Sequence, residues 1–165
     1  MATFAENFNV KYKEKIERTR LDYEKKNLKF TVYKNKLDEL YALISETVKG
    51  TPIAVDFSDV ELEKRENSFS STREPLKKLT LRIEDQFISF TPEGIDYQTG
   101  SARLRIEHNN ERERPLSIEV FLRKIPESAE EQSEDFNWQI RIGYRNFKPF
   151  DKMLVEGLIE TVFIS

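Results

Sequence analysis

Apolar residues recur at every seventh position through the first third of the chain: Ile16, Tyr23, Phe30, Leu37 and Ile44. That is the period of one seam of a long helix. The matching second position reads Thr19, Lys26, Tyr33, Leu40 and Thr47, so the second seam is apolar only in its later half. From Phe30 onward Phe30, Tyr33, Leu37, Leu40, Tyr41, Ile44 and Val48 form a broad stripe of the kind that docks on a core. Before it, Phe4, Phe8, Tyr12 and Ile16 make a narrower, mostly aromatic strip. Neither Gly nor Pro interrupts the chain before Gly50-Thr51-Pro52, which supplies the stop.

A helix over residues 3–49 would span about 70 Å, whereas a compact chain of this size has a diameter of about 40 Å. Either the helix breaks, near Asn27 or at Asn7 to Asn9, or its first half projects. The seven-residue phase is kept across Asn27, which favours continuity from about residue 10.

After Pro52 the period changes to two. Ile53, Val55 and Phe57 read as a first strand, followed by a polar stretch from Ser58 to Pro75 that reads as an irregular connection. Leu79/Leu81/Ile83 and Phe87 to Phe90 flank a tight link at Asp85-Gln86. Thr91-Pro92-Glu93-Gly94 has the composition of a type I turn, and Ile95 and Tyr97 lead through Thr99-Gly100 to Ala102/Leu104/Ile106. Leu116/Ile118/Val120/Leu122 follow the Asn109-Asn110 link, and Phe136, Trp138, Ile140, Ile142 and Tyr144 alternate most regularly of all. Asp151 is placed to cap a final helix to about Phe163, whose apolar residues cover most of its circumference and predict substantial burial.

The expected fold is α+β: a long N-terminal helix, kinked or a helical hairpin if it breaks, an antiparallel β-meander of about five to seven strands, and a C-terminal helix packed on the sheet. The boundaries are residues 1–49 for the N-terminal helical region and 50–165 for an α+β globular domain, together one structural unit. If the apolar alternation points inward, Lys78, Arg82, Arg103, Arg105, Arg123 and Arg141 face outward against Glu84, Glu107 and Glu119, a mixture that cross-strand pairing explains.

Composition narrows the chemistry. The 165 residues include no Cys, one His and five Gly. Disulfides, thiol nucleophiles, Cys-ligated metal and any site needing two imidazoles are excluded, and a reducing cytoplasm is the compartment that fits. The longest uninterrupted apolar run, Tyr41 to Ile44, is far short of a membrane span. Glycines at 50, 94, 100, 143 and 157 build no phosphate loop or dinucleotide fingerprint. His108 continues the inward alternation of Ala102, Leu104 and Ile106 and reads as a structural residue at a strand end. The run Asp56, Asp59, Glu61, Glu63 resembles a magnesium-type cluster only weakly, and a solvated acidic edge accounts for it. Glu127, Glu130, Glu131, Glu134 and Asp135 make a second acidic stretch between Pro126 and Asp135, a solvated loop or a dock for a basic partner. No catalytic residue, metal or cofactor is assigned.

Residues 11 to 36 are basic and interleaved with Tyr12, Tyr23 and Tyr33. Lys11, Lys13, Lys15, Arg18, Arg20, Lys25, Lys26 and Lys29 are the candidates for a nucleic-acid contact, although Glu14/Arg18 and Asp22/Lys26 stand at the spacing by which an exposed helix solubilises itself. Phe4, Phe8, Tyr12, Ile16 and Tyr23, on the half that overshoots the globule, are the candidates for association. The function expected first is a non-enzymatic interaction module of bacterial or phage type, homodimeric or bound to a protein partner through the N-terminal helix. The alternatives are a nucleic-acid-binding module using the basic helix, and a ligand-binding or metal-dependent hydrolytic domain with a pocket between sheet and helices.

Overall fold

The structure is a computed structural model that describes residues 1–65, 71–96, 101–124, 136–143 and 146–165. The expected link at Thr99-Gly100, the strand residues Tyr97 and Tyr144, and the acidic stretch 126–135 lie outside the described residues, as does the side chain of Glu63.

One helix, α1, runs without a break from Phe4 to Thr47. Its 44 residues make it about 66 Å long. It starts at a capping box: the Thr3 hydroxyl accepts from the Glu6 N–H at 3.2 Å and the Glu6 carboxylate accepts from the Thr3 N–H at 3.3 Å. Neither Asn7 to Asn9 nor Asn27 interrupts it, since an isolated Asn costs a helix only a fraction of a kcal/mol. Gly50, at φ +83°, adopts the left-handed conformation that reverses the chain after the last turn.

Seven strands follow, β1 (Ala54–Arg65), β2 (Ser71–Ile83), β3 (Gln86–Ile95), β4 (Ala102–His108), β5 (Ser117–Lys124), β6 (Phe136–Gly143) and β7 (Asn146–Pro149), before the closing helix α2 (Lys152–Ile164). Each strand pairs antiparallel with the next, giving one open sheet in the order β1 to β7. Consecutive strands that pair as antiparallel neighbours make a meander.

Two expectations are corrected. The polar stretch Ser58 to Pro75 is largely the body of a long β1/β2 hairpin, in register from Ala54↔Arg82 to Arg65↔Ser71. Its polarity has a structural use. Lys77 Nζ meets the carboxylate of Asp59, its direct cross-strand neighbour, at 2.5 Å, and Arg73 reaches Glu61 at 3.6 Å. On the alternate positions Val60 lies opposite the buried Leu76. Thr91 to Gly94 likewise is no turn, because β3 continues to Ile95 with a register irregularity between Pro92 and Ile95. A bulge accommodates the missing proline N–H while the strand goes on.

The core lies between one face of the sheet and the two helices. Leu79, Leu81, Ile88, Phe90, Leu104, Ile106, Val120 and Leu122 meet Tyr33, Leu37, Leu40 and Ile44 of α1 and Val155, Ile159 and Val162 of α2. Three α1 polar contacts fix its position. Tyr33 Oη donates to the Arg103 carbonyl at 3.0 Å, Tyr41 Oη donates to the carbonyls of Lys77 at 2.6 Å and Phe90 at 3.1 Å, and the Lys36 carbonyl accepts from Trp138 Nε1 at 3.0 Å. Asp151 caps α2 through the Leu154 N–H. That helix is less buried than its apolar circumference predicts: Met153 is 78% exposed, because only one face of α2 meets the sheet. Ile142, expected to alternate inward, is exposed with the rest of the end of β6, Arg141 to Gly143.

Candidate functional site

Tyr33 docks at the beginning of β4, so α1 passes the end of the sheet within the next two turns towards its N-terminus. Every residue from Met1 to Lys25 is exposed. Residues 4–25 therefore extend about 33 Å past the described residues of the sheet. On this segment Phe4 is 83% exposed, Phe8, Tyr12 and Ile16 each 52%, and Tyr23 38%. The structure brings the first three together as a ladder, with ring centroids 5.9 Å apart for Phe4–Phe8 and 6.0 Å for Phe8–Tyr12. At roughly 200 Å² for a fully exposed large side chain, the five residues present on the order of 500 Å² of mostly apolar surface, the size of patch that monomers reserve for function.

The angular position of the strip matters as much as its size. At about 100° per residue, Phe4, Phe8, Tyr12, Ile16 and Tyr23 fall on the same side of α1 as Tyr33, Leu37, Tyr41 and Ile44. The face that docks on the sheet thus continues past it.

The basic candidates separate into different faces of the helix. Lys11, Arg18, Lys25 and Lys29 run along one border of the strip, with Lys15 just inside it; Lys13 and Arg20 lie along the other border. Glu6, Glu17 and Glu24 occupy the back, and Glu14 lies beside Lys11 and Arg18. Arg20 is held by Glu17 and, at 2.6 Å, by Glu24, an arrangement that lowers the carboxyl pKa of Glu17 and raises that of the guanidinium through hydrogen bonding first and charge second. Lys26 lies within the strip, half-buried at the sheet boundary, and pairs with Asp22 at 3.1 Å. Among the described residues Lys11, Lys13, Lys15, Arg18 and Lys25 have no carboxylate partner, and the expected Glu14/Arg18 pair does not form.

The other candidates for chemistry are occupied by structural tasks. His108 Nδ1 accepts from the Asn110 N–H at 3.2 Å, which leaves Nε2 to carry the proton and donate to the Pro115 carbonyl at 3.1 Å. Asn110 fastens the far end of α2, its amide donating to the Val162 carbonyl at 2.9 Å. Asn109 clamps the β2/β3 turn through the Phe87 N–H at 3.0 Å and the Asp85 carbonyl at 2.7 Å, next to Glu84 at φ +52°. Neither asparagine's role was visible in the sequence, because each partner is more than twenty residues away.

On the sheet's outer face Arg105 binds Glu93 at 2.5 Å and Glu107 at 3.3 Å, and Arg123 lies 3.7 Å over the Phe147 ring. Cross-strand pairing therefore absorbs part of that basic set. Among the described residues no group of His, Asp or Glu could hold a metal, and no helix is long and apolar enough to cross a membrane. A depression of about 250 Å³ between α1, β6 and α2 contains Lys36, Glu39 and Asp151, but the first two pair with each other at 3.4 Å and the third is the α2 cap.

No family model, curated protein or solved structure matches this chain.

Proposed function

We propose that the protein is a non-enzymatic interaction module, working in a reducing cytoplasm, that associates with another polypeptide through the projecting half of α1. One observation carries this reading: Phe4, Phe8, Tyr12, Ile16 and Tyr23 are exposed along a helix face that, a few turns later, is the docking face of the core. Water disfavours such a strip, and a second helix laid along it removes it from water at the interaxial distance of about 8–10 Å that this side-chain size allows. A second copy of the chain is the simplest occupant.

Sedimentation velocity at tens of micromolar tests the reading. The borders of the strip are basic, so the salt is set near 0.5 M, where charges are screened within about 4 Å. The unmodified protein should associate under these conditions, and the double variant Tyr12→Glu/Ile16→Glu should be a folded monomer with an unchanged melting temperature. An unmodified protein that stays monomeric in screened buffer would overturn the reading, because the strip would then have no tendency to be covered.

A further inference from the structure

The single imidazole of the chain sits at a joint between the sheet and the closing helix. His108 ends β4, is 6% exposed and lies opposite Ile88 of β3. Its Nδ1 accepts from the Asn110 N–H and its Nε2 donates to the Pro115 carbonyl. Only the neutral ring can do both, because a protonated imidazole carries a donor on each nitrogen.

Asn110, buried beside the ring, couples it to α2. Its Oδ1 accepts from the Arg112 N–H at 3.1 Å and its carbonyl from the Glu113 N–H at 3.1 Å, which fixes it in the link between β4 and β5. Its Nδ2 donates to the Val162 carbonyl at 2.9 Å and to Ser165 Oγ at 3.3 Å. Among the described residues the other polar contact between α2 and the sheet is Gln86 Nε2 on the same Val162 carbonyl, at 3.5 Å. The end of α2 is therefore held by the packing of Ile159 and Val162 and by one asparagine whose own backbone N–H rests on the imidazole.

A proton on His108 Nδ1 would point at the Asn110 N–H and would place a cation in a buried site. The charged groups around it lie elsewhere. Glu84 and Asp85 are exposed in the β2/β3 turn, and Glu107 points to the other face of β4, where it meets Arg105. Glu111, Arg112, Glu113 and Arg114 belong to the link, and Glu160 and the Ser165 carboxylate to α2. Among the described residues none of these pairs with the imidazole. Opposed donors and an uncompensated buried charge are relieved by moving the link outward, and that motion takes Asn110 away from Val162.

We infer that His108 is a pH-sensitive latch: while neutral it holds Asn110 on the C-terminal turn of α2, and when protonated it releases that turn and uncovers Ile159 and Val162. The device lies on elements other than α1 and does not depend on association through that helix.

Amide hydrogen exchange of the full chain at about pH 7.5 and about pH 5.5, each corrected for the intrinsic exchange rate, tests the latch. His108 is the side chain expected to change charge in this window, since the chain has no Cys and carboxylates titrate near 4. With a free imidazole titrating near 6.5, the opening constant of the amides from Leu158 to Ile164 should rise about tenfold on acidification. That opening should be larger than the one exposing β2 and β5 amides and insensitive to urea up to about 1 M. Exchange of α2 only together with β2 and β5, with the same urea dependence, would overturn the latch, because the proton would then act on the whole domain. His108→Gln and Asn110→Ala should each leave the α2 opening raised at both pH values and flat between them to within about twofold. A tenfold response retained in either variant would overturn the coupling. Should neither variant fold, NMR of the unmodified protein decides: the ring protons of the single imidazole and the Val162 to Ile164 amides should shift with a common midpoint, and a ring that takes up its proton while those amides stay in place would overturn the inference.

Discussion

Tyr33 and Tyr41 make a pH-dependent contribution to stability whose sign and size follow from their surroundings. Both are buried, and loss of hydration pushes both phenol pKa values well above the normal value. In the unfolded chain each should titrate near 10. The folded state therefore holds two protons that the unfolded state releases as the pH rises past about 10. Stability is full below that point and falls above it, since the native state then binds more protons than the unfolded one. At pH 11.5 the loss is about 2 kcal/mol for each tyrosine, and about 4 kcal/mol for the pair. Urea unfolding at several pH values between 8 and about 11.5 would measure it. Tyr33→Phe/Tyr41→Phe should be less stable at pH 8, because two hydroxyl donors are lost, one to the Arg103 carbonyl and one shared by the Lys77 and Phe90 carbonyls, at about 1 kcal/mol for each donor, but its stability should fall much less above pH 10. Single variants should each remove about half of the alkaline slope. A double variant with the same alkaline slope as the unmodified protein would refute the reasoning, showing that the loss arises from lysines or other groups.

Two further outcomes are expected. Trp138 is 7% exposed, donates to the Lys36 carbonyl and lies 6.2 Å from the Tyr33 ring, so native fluorescence should be blue-shifted and Trp138→Ala should cost about 3–5 kcal/mol in urea unfolding. His108→Gln should lower the melting temperature by removing the bridge between Asn110 and Pro115, yet leave association through α1 within a few-fold of the parent; a loss of association at unchanged stability would give His108 a functional role.

The strands and the docked half of the helix were legible in the sequence because each shows its period over several repeats. Leu104/Ile106/His108 alternate cleanly, and the inward assignment of Trp138 and His108 holds, whereas the alternation expected along β6 fails past Trp138, where Gln139 is buried and Ile142 exposed. The β1/β2 hairpin was not legible past Phe57. It is a ribbon whose cross-strand charges, Asp59 with Lys77 and Glu61 with Arg73, resemble loop composition until the register is known. Pro92 and Gly94 misled for a related reason, since a bulge in a strand uses the same residues as a turn. At the candidate site the apolar strip could be read from spacing alone. Where the helix leaves the sheet could not, because that is set by Tyr33 meeting Arg103, seventy residues away.

The polar residues within the helix seam mark the same boundary from the other side. Where α1 lies on the sheet its seam is filled by Phe30, Tyr33, Leu37, Leu40 and Ile44, and the two tyrosine hydroxyls among its inward residues reach strand carbonyls. Just beyond the sheet Lys26 takes the seam position, with its charge balanced by Asp22, and Thr19 follows with its hydroxyl turned back to the Lys15 carbonyl at 3.0 Å. A helix that only needed to stay in water would continue in that style to its first turn. Instead Ile16, Tyr12, Phe8 and Phe4 restore the apolar face, and the Thr3–Glu6 box holds the terminal turn that carries the last of them. The seam is thus polar beside the sheet and apolar again towards the free end of the helix. That order suits a partner helix that must meet the outer strip without being drawn into the chain's own core.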